Sequence, residues 1–307
     1  MSKPLFVKKN KNIKSPLNYI GGKYRLLNQI MPLFPRKIDT FIDLFAGGCN
    51  VGINIKANKI IFNDNLTYLI ELFQIFKNSN TTTIINHIEN RIDEFKLSKT
   101  NEKGYKEFRN FYNQHKITLD LFVLIAYSFN HQIRFNNSHE FNNPFGKNRS
   151  SFNDTMKYNL INFILKLQKN DNEFIDNSFE NFDFSQLTKN DFVYCDPPYL
   201  ITTGSYNDGK RGFKGWTKKE EVELLNILDN LNSKNIKFAL SNVIKHKGKE
   251  NILLKNWLHE REYQTNFIDK NYANSNYQTK IGDKNASIEV LITNYSPENY
   301  QPNLFDL

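Results

Sequence analysis

With 307 residues the chain can bury a full hydrophobic core, and it exceeds the usual single-domain size only modestly. Hydrophobic residues at 39% and aromatics at 14% exclude an intrinsically disordered chain, and no apolar run approaches the roughly 18–20 residues that cross a bilayer. The net charge of +9 is concentrated at one end: Met1 to Ile38 holds nine Lys/Arg and no acid, while the other 32 basic residues match 32 acidic ones.

A basic arm beside a neutral body suits contact with phosphates, although coding bias toward Lys, Asn, Ile and Phe would produce the same excess. Met1 to Lys14 has no apolar signal core, so the expected location is the cytoplasm. Helix signals run through Gly22–Leu33 and stop at Pro32 to Pro35. The apolar run Thr40-Phe-Ile-Asp-Leu-Phe45 meets Ala46-Gly-Gly48, as a buried strand entering a glycine turn does. Lys59–Asn63 predicts a second strand, ending at Asp64. Leu66–Asn130 is mostly helical in pattern, and Leu119–Phe129 within it is apolar nearly all round. Asn130–Asp154 breaks periodicity, and Met156–Leu167 resumes as a helix.

Strand signals follow at Phe174–Asp176, Phe192–Cys195 and Lys237–Leu240, with a helix at Lys218–Leu231. Two late β-like runs, Tyr263–Ile268 and Ser287–Thr293, can pair as an antiparallel hairpin. Strands alternating with helices predict an α/β fold: an open, doubly wound, mostly parallel sheet that binds ligands at the carboxyl ends of its strands. The stretch 66–170 interrupts the alternation. It is assigned to a mainly helical inserted domain, with 1–65 and 171–307 forming the main one.

Three motifs carry chemistry. Asp196-Pro197-Pro198-Tyr199 directly follows the predicted strand Phe192–Cys195. An exocyclic aromatic amine is a poor nucleophile because its lone pair is delocalised into the ring. Two acceptors that bind both amine hydrogens localise that lone pair. The Asp196 carboxylate and the Pro197 carbonyl supply such a pair, with consecutive prolines fixing the backbone. Tyr199 offers a flat face for a flipped base. The plain alternative is a strand-terminating turn with Tyr199 as packing.

The second motif, Asp43 to Gly52, places glycines after a first strand, where backbone approaches a ligand closely. Asp64 lies 17 residues after Gly47 and can accept hydrogen bonds from ribose hydroxyls. A glycine turn used only for packing remains open. The third motif is Pro16 to Lys23. Lys23 at a helix start can hold a carboxylate, and a solvated surface lysine is its alternative. Cys49 and Cys195 have no CxxC partner, and the six histidines show no zinc spacing, so no metal is expected. Glu94-Phe-Lys96 matches half of a nuclease motif but lacks an upstream Pro-Asp partner.

Together and in this order, the three motifs resemble the Dam-like family of adenine-N6 DNA methyltransferases, the alpha class of S-adenosylmethionine-dependent amino-methyltransferases. The resemblance extends from about Pro16 to about Tyr295 and includes Phe135-Asn136, Glu140 to Gly146, Ser178-Phe179, Leu240-Ser-Asn242 and Ile288 to Asn294. It implies site-specific transfer of a methyl group from S-adenosyl-L-methionine to adenine N6 in double-stranded DNA, after base flipping and without a metal. By resemblance Asp196, Pro197, Pro198 and Tyr199 are catalytic. Tyr19, Lys23, Phe45, Ala46, Gly47, Asp64, Phe179 and Asp196 contact the cofactor. The family's recognition region falls between the cofactor and catalytic motifs, where Phe129, Asn130, Gln132, Arg134, Asn136 and Lys147 are the DNA-contact candidates. An Arg fork suits guanine O6 and N7. Asn18 replaces the base-reading lysine of Dam proper and Gln132 replaces a small apolar residue, so GATC is a candidate target only.

The resemblance further implies a bacterial or phage source, a monomer or weak dimer, and a restriction endonuclease acting on the same site as a candidate partner. Cytosine N4 or RNA adenine N6 is the nearest rival target, and Ser more often begins the catalytic motif in cytosine enzymes. A non-catalytic DNA-binding protein and a nuclease are the rivals of other classes.

Overall fold

The computed structural model describes residues 12–202, 215–268 and 287–297. Among the described residues eight strands form one sheet: β1 (Thr40–Asp43), β2 (Lys59–Asp64), β3 (Asn172–Asp176), β4 (Phe192–Cys195), β5 (Lys237–His246), β6 (Lys249–Glu250), β7 (Gln264–Ile268) and β8 (Ile288–Thr293). Their order is β3-β2-β1-β4-β5-β8-β7, with β6 paired to β5 off this path. The first five strands in that order run parallel, and β8 is antiparallel to both β5 and β7. The late hairpin forms as expected, and its second strand is the one that joins the sheet.

Side chains alternate between the two faces with the strand period of two. Phe41, Phe62, Tyr194, Ala239 and Leu291 belong to one core. Ile42, Val193, Cys195, Phe238, Leu240 and Ile292 belong to the other. Both faces are covered, which is why the central strands read as unbroken apolar runs. The first face takes α1 (Leu27–Ile30), α2 (Thr67–Asn78), α5 (Thr118–Tyr127) and α6 (Asp154–Lys169). The second takes α7 (Lys218–Ser233) and α8 (Ile252–His259). Helices α3 (Thr81–Glu94) and α4 (Glu102–His115) complete the helical stretch, around an α5 whose residues Asp120 to Tyr127 are all buried.

One expected helix is broken up. Gly22–Leu33 forms two short 3-10 turns, Lys23–Leu26 and Met31–Leu33, on either side of the four-residue α1. Pro32 enters the second turn, where it cannot donate to a continuing α-helix. The sequence runs outward from β1 to β2 and β3, then returns past β1 to β4. The crevice where this direction reverses opens at the carboxyl ends of β1 and β4.

Candidate active site

Three strands deliver carboxylates to that crevice. Asp43 ends β1, Asp64 ends β2, and Asp196 follows β4 directly. Gly47 adopts φ +47° in the turn after β1, and a Cβ there would lie 2.8 Å from the Tyr19 ring, so glycine is required on both counts. The turn is fixed from below. Asp64 Oδ2 accepts from Gly47 N at 2.8 Å and Oδ1 from Leu66 N at 3.0 Å. Asp43 Oδ2 accepts from Gly52 N at 3.0 Å.

Lys23 is not solvated: 4% of its side chain is exposed. Its ammonium lies 2.7 Å from both oxygens of Asp196 and 2.9 Å from the Gly21 carbonyl. Glu289 Oε1 stands 3.7 Å away, and the Tyr199 ring centroid 5.1 Å away. The Tyr199 hydroxyl lies 3.0 Å from both Asp196 Oδ1 and Glu289 Oε1. Burial pushes the Asp196 carboxyl up, and the Lys23 ammonium pulls it back without cancelling the rise. Asp43 is pushed up to about 7 by burial, with Asp196 and Asp64 adding repulsion against the Gly52 hydrogen bond. Asp64 is raised by burial and held down by the amides it accepts from.

Of these groups, Lys23, Asp64, Asp196 and Tyr199 line a cavity of about 420 Å³, within the usual range for small-molecule sites. Every residue assigned to catalysis or cofactor by resemblance lines it: Tyr19, Lys23, Phe45, Ala46, Gly47, Asp64, Phe179, Asp196, Pro197, Pro198 and Tyr199. Phe45 and Phe179 pack with ring centroids 5.3 Å apart. Trp216 joins them, at 5.6 Å from Phe45 and 5.3 Å from Phe179. Trp216 and Glu289 carried no signal as single residues. They reach the site through the start of α7 and through β8, from distant parts of the sequence.

The candidates in the irregular segment are spread more widely. Phe129 is 41% exposed, with the Arg149 guanidinium 5.1 Å over its ring. The Asn130 carbonyl accepts from Asn18 Nδ2 at 3.0 Å, which ties this segment to the motif before Lys23. Arg134 is exposed and lines the same cavity as Asp196. Gln132 is half-buried and its carbonyl accepts from Asn143. The Asn136 side chain bonds within its own turn, accepting from Ser138 N and Glu140 N and donating to Glu140. Lys147 is exposed and near Glu102, whose carboxyl is lowered mainly by Lys106 and only slightly by Lys147. Underneath, Phe135 stacks on Tyr68 at 4.5 Å and packs edge-on against Phe141, anchoring the segment to α2.

A family model for D12 class N6 adenine-specific DNA methyltransferases matches residues 19–283. The chain is 57% identical over 290 residues to "Modification methylase StsI" of Streptococcus sanguinis, an alignment covering 94% of this chain and 44% of that protein. Against "Type II methyltransferase M.FokI" of Planomicrobium okeanokoites the identity is again 57%, over 289 residues, 94% of this chain and 44% of that protein. A "DNA adenine methylase" of Haemophilus influenzae is 29% identical over 191 residues, 60% of this chain and 63% of that one. The chain thus spans under half the length of the first two relatives. The motif order, the sheet order and a family match over most of the sequence agree, and the chain belongs to the D12 class of N6 adenine-specific DNA methyltransferases.

Proposed function

We propose that this chain transfers a methyl group from S-adenosyl-L-methionine to the N6 amine of adenine in double-stranded DNA, at a defined sequence and after flipping the base from the duplex. The observation that carries this reading is the Asp196 carboxylate. It is held between Lys23 and Tyr199 at the end of β4, on the same cavity wall system as Asp64 and the Gly47 turn.

The residues present fit the cofactor. Phe45 and Phe179 give flat apolar surface for a purine. The Asp64 oxygens, which accept from backbone amides, retain lone pairs for ribose hydroxyls. The glycine turn at Ala46–Gly47 brings backbone up to the methionine portion. When bound, S-adenosylmethionine supplies a methyl group on a sulfonium, which is already an activated electrophile.

The chain's own residues do the rest. Asp196 accepts one amine hydrogen and the Pro197 carbonyl the other, which draws the N6 lone pair out of the ring. Lys23 opposes the upward push of burial on Asp196 and so favours the carboxylate that accepts the amine hydrogen. Tyr199 presents a ring to the base while its hydroxyl braces Asp196. Closing the base into this cavity supplies proximity and excludes water.

On the DNA side, we assign recognition to 66–170, with Arg134 lining the cavity and Asn130 tied by its carbonyl to Asn18 of the cavity wall. Arg134 reads a base edge, and Lys147 and Arg149 meet phosphates. The restriction-system names of the relatives favour an endonuclease acting on the same site as the biological partner.

The test is incubation with labelled S-adenosylmethionine and duplex DNA, followed by digestion to nucleosides. Label in N6-methyldeoxyadenosine is the expected result. Label in N4-methyldeoxycytidine, or none in DNA, overturns the reading.

A further inference from the structure

Resting on the reading of this cavity as the cofactor site, we propose that Trp216 forms a third aromatic wall against the cofactor and that Glu221 is the residue positioning its indole. Neither residue belongs to the three motifs. Trp216 is 7% exposed, lines the cavity, and meets Phe45 nearly edge-on with 77° between the ring planes. It stands one residue before Thr217, which caps α7 in a capping box closed by Glu220. Residues just before the cap and at the fourth helical position commonly touch, as a hydrophobic staple. Here the fourth position is Glu221, and the contact is a hydrogen bond from Trp216 Nε1 to Glu221 Oε2 at 2.7 Å.

Glu221 is 1% exposed, and its other oxygen accepts from Asn242 Nδ2 at 3.1 Å and Asn251 Nδ2 at 2.9 Å. The three donors are neutral and come from three places: the approach to α7, strand β5, and the cap of α8. A buried carboxylate satisfied by neutral donors is an expensive way to start a helix, since an aliphatic staple needs no desolvation of charge. What the carboxylate adds is direction. It fixes the indole nitrogen to a rigid three-element junction, so the ring face is set before a ligand enters. Phe45, Phe179 and Trp216, packed on one another, then form a preorganised aromatic surface whose chemistry matches a purine.

The chain has two tryptophans, Trp216 and Trp257. In a Trp257→Phe parent, emission reports Trp216 alone. Glu221→Gln should shift unliganded emission to longer wavelength, because an amide cannot satisfy all three donors and the indole loosens toward water. Calorimetric titration with S-adenosylhomocysteine should show binding weakened by about tenfold. Trp216→Phe, which leaves Glu221 bonded to both asparagines, should weaken binding similarly. Adding Glu221→Gln to it should bring little further loss, because the carboxylate acts through the indole. In turnover assays the effect should appear in the cofactor KM with kcat nearly unchanged. Parent binding that Glu221→Gln leaves unaltered overturns the inference alone, as does an equal loss with and without the indole. Failure of the parent to bind S-adenosylhomocysteine overturns the proposed function as well.

Discussion

At Asp196, burial and ion pairing pull in opposite directions, and the balance sets when the acceptor works. Burial favours the neutral acid, Lys23 favours the carboxylate, and the net result lies above the usual carboxylate range. Transfer needs the carboxylate, so the acid limb of kcat/KM should fall at a higher pH than an exposed aspartate would give. Lys23→Met removes the compensating charge. It should move that limb upward, and a pH profile of the variant that overlays the parent's would refute the pairing. Asp196→Asn keeps the shape but removes the charged acceptor, and single-turnover transfer should slow by on the order of 10²–10³-fold. Turnover within a few fold of the parent would overturn the mechanism. Both residues were legible in the sequence because they stand in motifs, although Lys23 there had a solvated alternative that its burial removes. Glu289 was legible only as part of a longer resemblance. Its side chain reaches Tyr199, 90 residues away, and Lys23, which is farther still in the sequence, a juxtaposition no local pattern encodes.

Among the elements, the parallel strands and long helices followed from periodicity, and the exceptions have local causes. Helix α8 spans only eight residues, too short for a periodic signal, and is fixed by its Asn251 cap and by Trp257 packing. Strand β5 continues to His246, past the apolar run, because β8 pairs it as far as Lys245 and β6 pairs Lys245 and His246. The irregular segment after α5 reads as loop, yet two isolated bridges, Ser128 to Phe145 and Phe135 to Phe141, give it a fixed shape. This separates two kinds of residue in it. Arg134→Ala removes an exposed fork and should lower discrimination at one base pair by roughly 1–3 kcal/mol, leaving thermal stability unchanged. Phe135→Ala empties a fully buried site against Tyr68 and should cost about 3–5 kcal/mol of stability. Methylation of a matched site and its single-base variants, beside thermal melts, distinguishes them. If Arg134→Ala slows all substrates equally, it contacts phosphate. Lys8 and Lys9, in the basic arm suited to phosphate contact, lie outside the described residues.

Across the whole molecule, the crevice that makes a site also stores a cost. Folding brings Asp43, Asp64 and Asp196 to one sheet edge, and burial raises all three. Such groups bind protons more tightly folded than unfolded, so between their ordinary range near 4 and their folded values the native state holds the extra protons. Stability therefore falls as pH rises through that window. For Asp43, with a folded value of about 7, the penalty fully ionised reaches at most about 4 kcal/mol. The exposed carboxyls lowered by lysines, Glu102 and Glu250, act in the opposite sense but sit in solvent, where such pairs count for little. The melting temperature should consequently decline from about pH 5 to pH 8. Asp43→Asn should flatten the decline, because its amide oxygen still accepts from Gly52 while no proton is lost. The gain over the parent should be largest at pH 8 and vanish toward pH 5, where Asp43 is already neutral. A variant less stable than the parent at pH 8, or equally displaced at both ends, would show that the Asp43 carboxylate is stabilised in the fold and that its charge is not a cost of building the site.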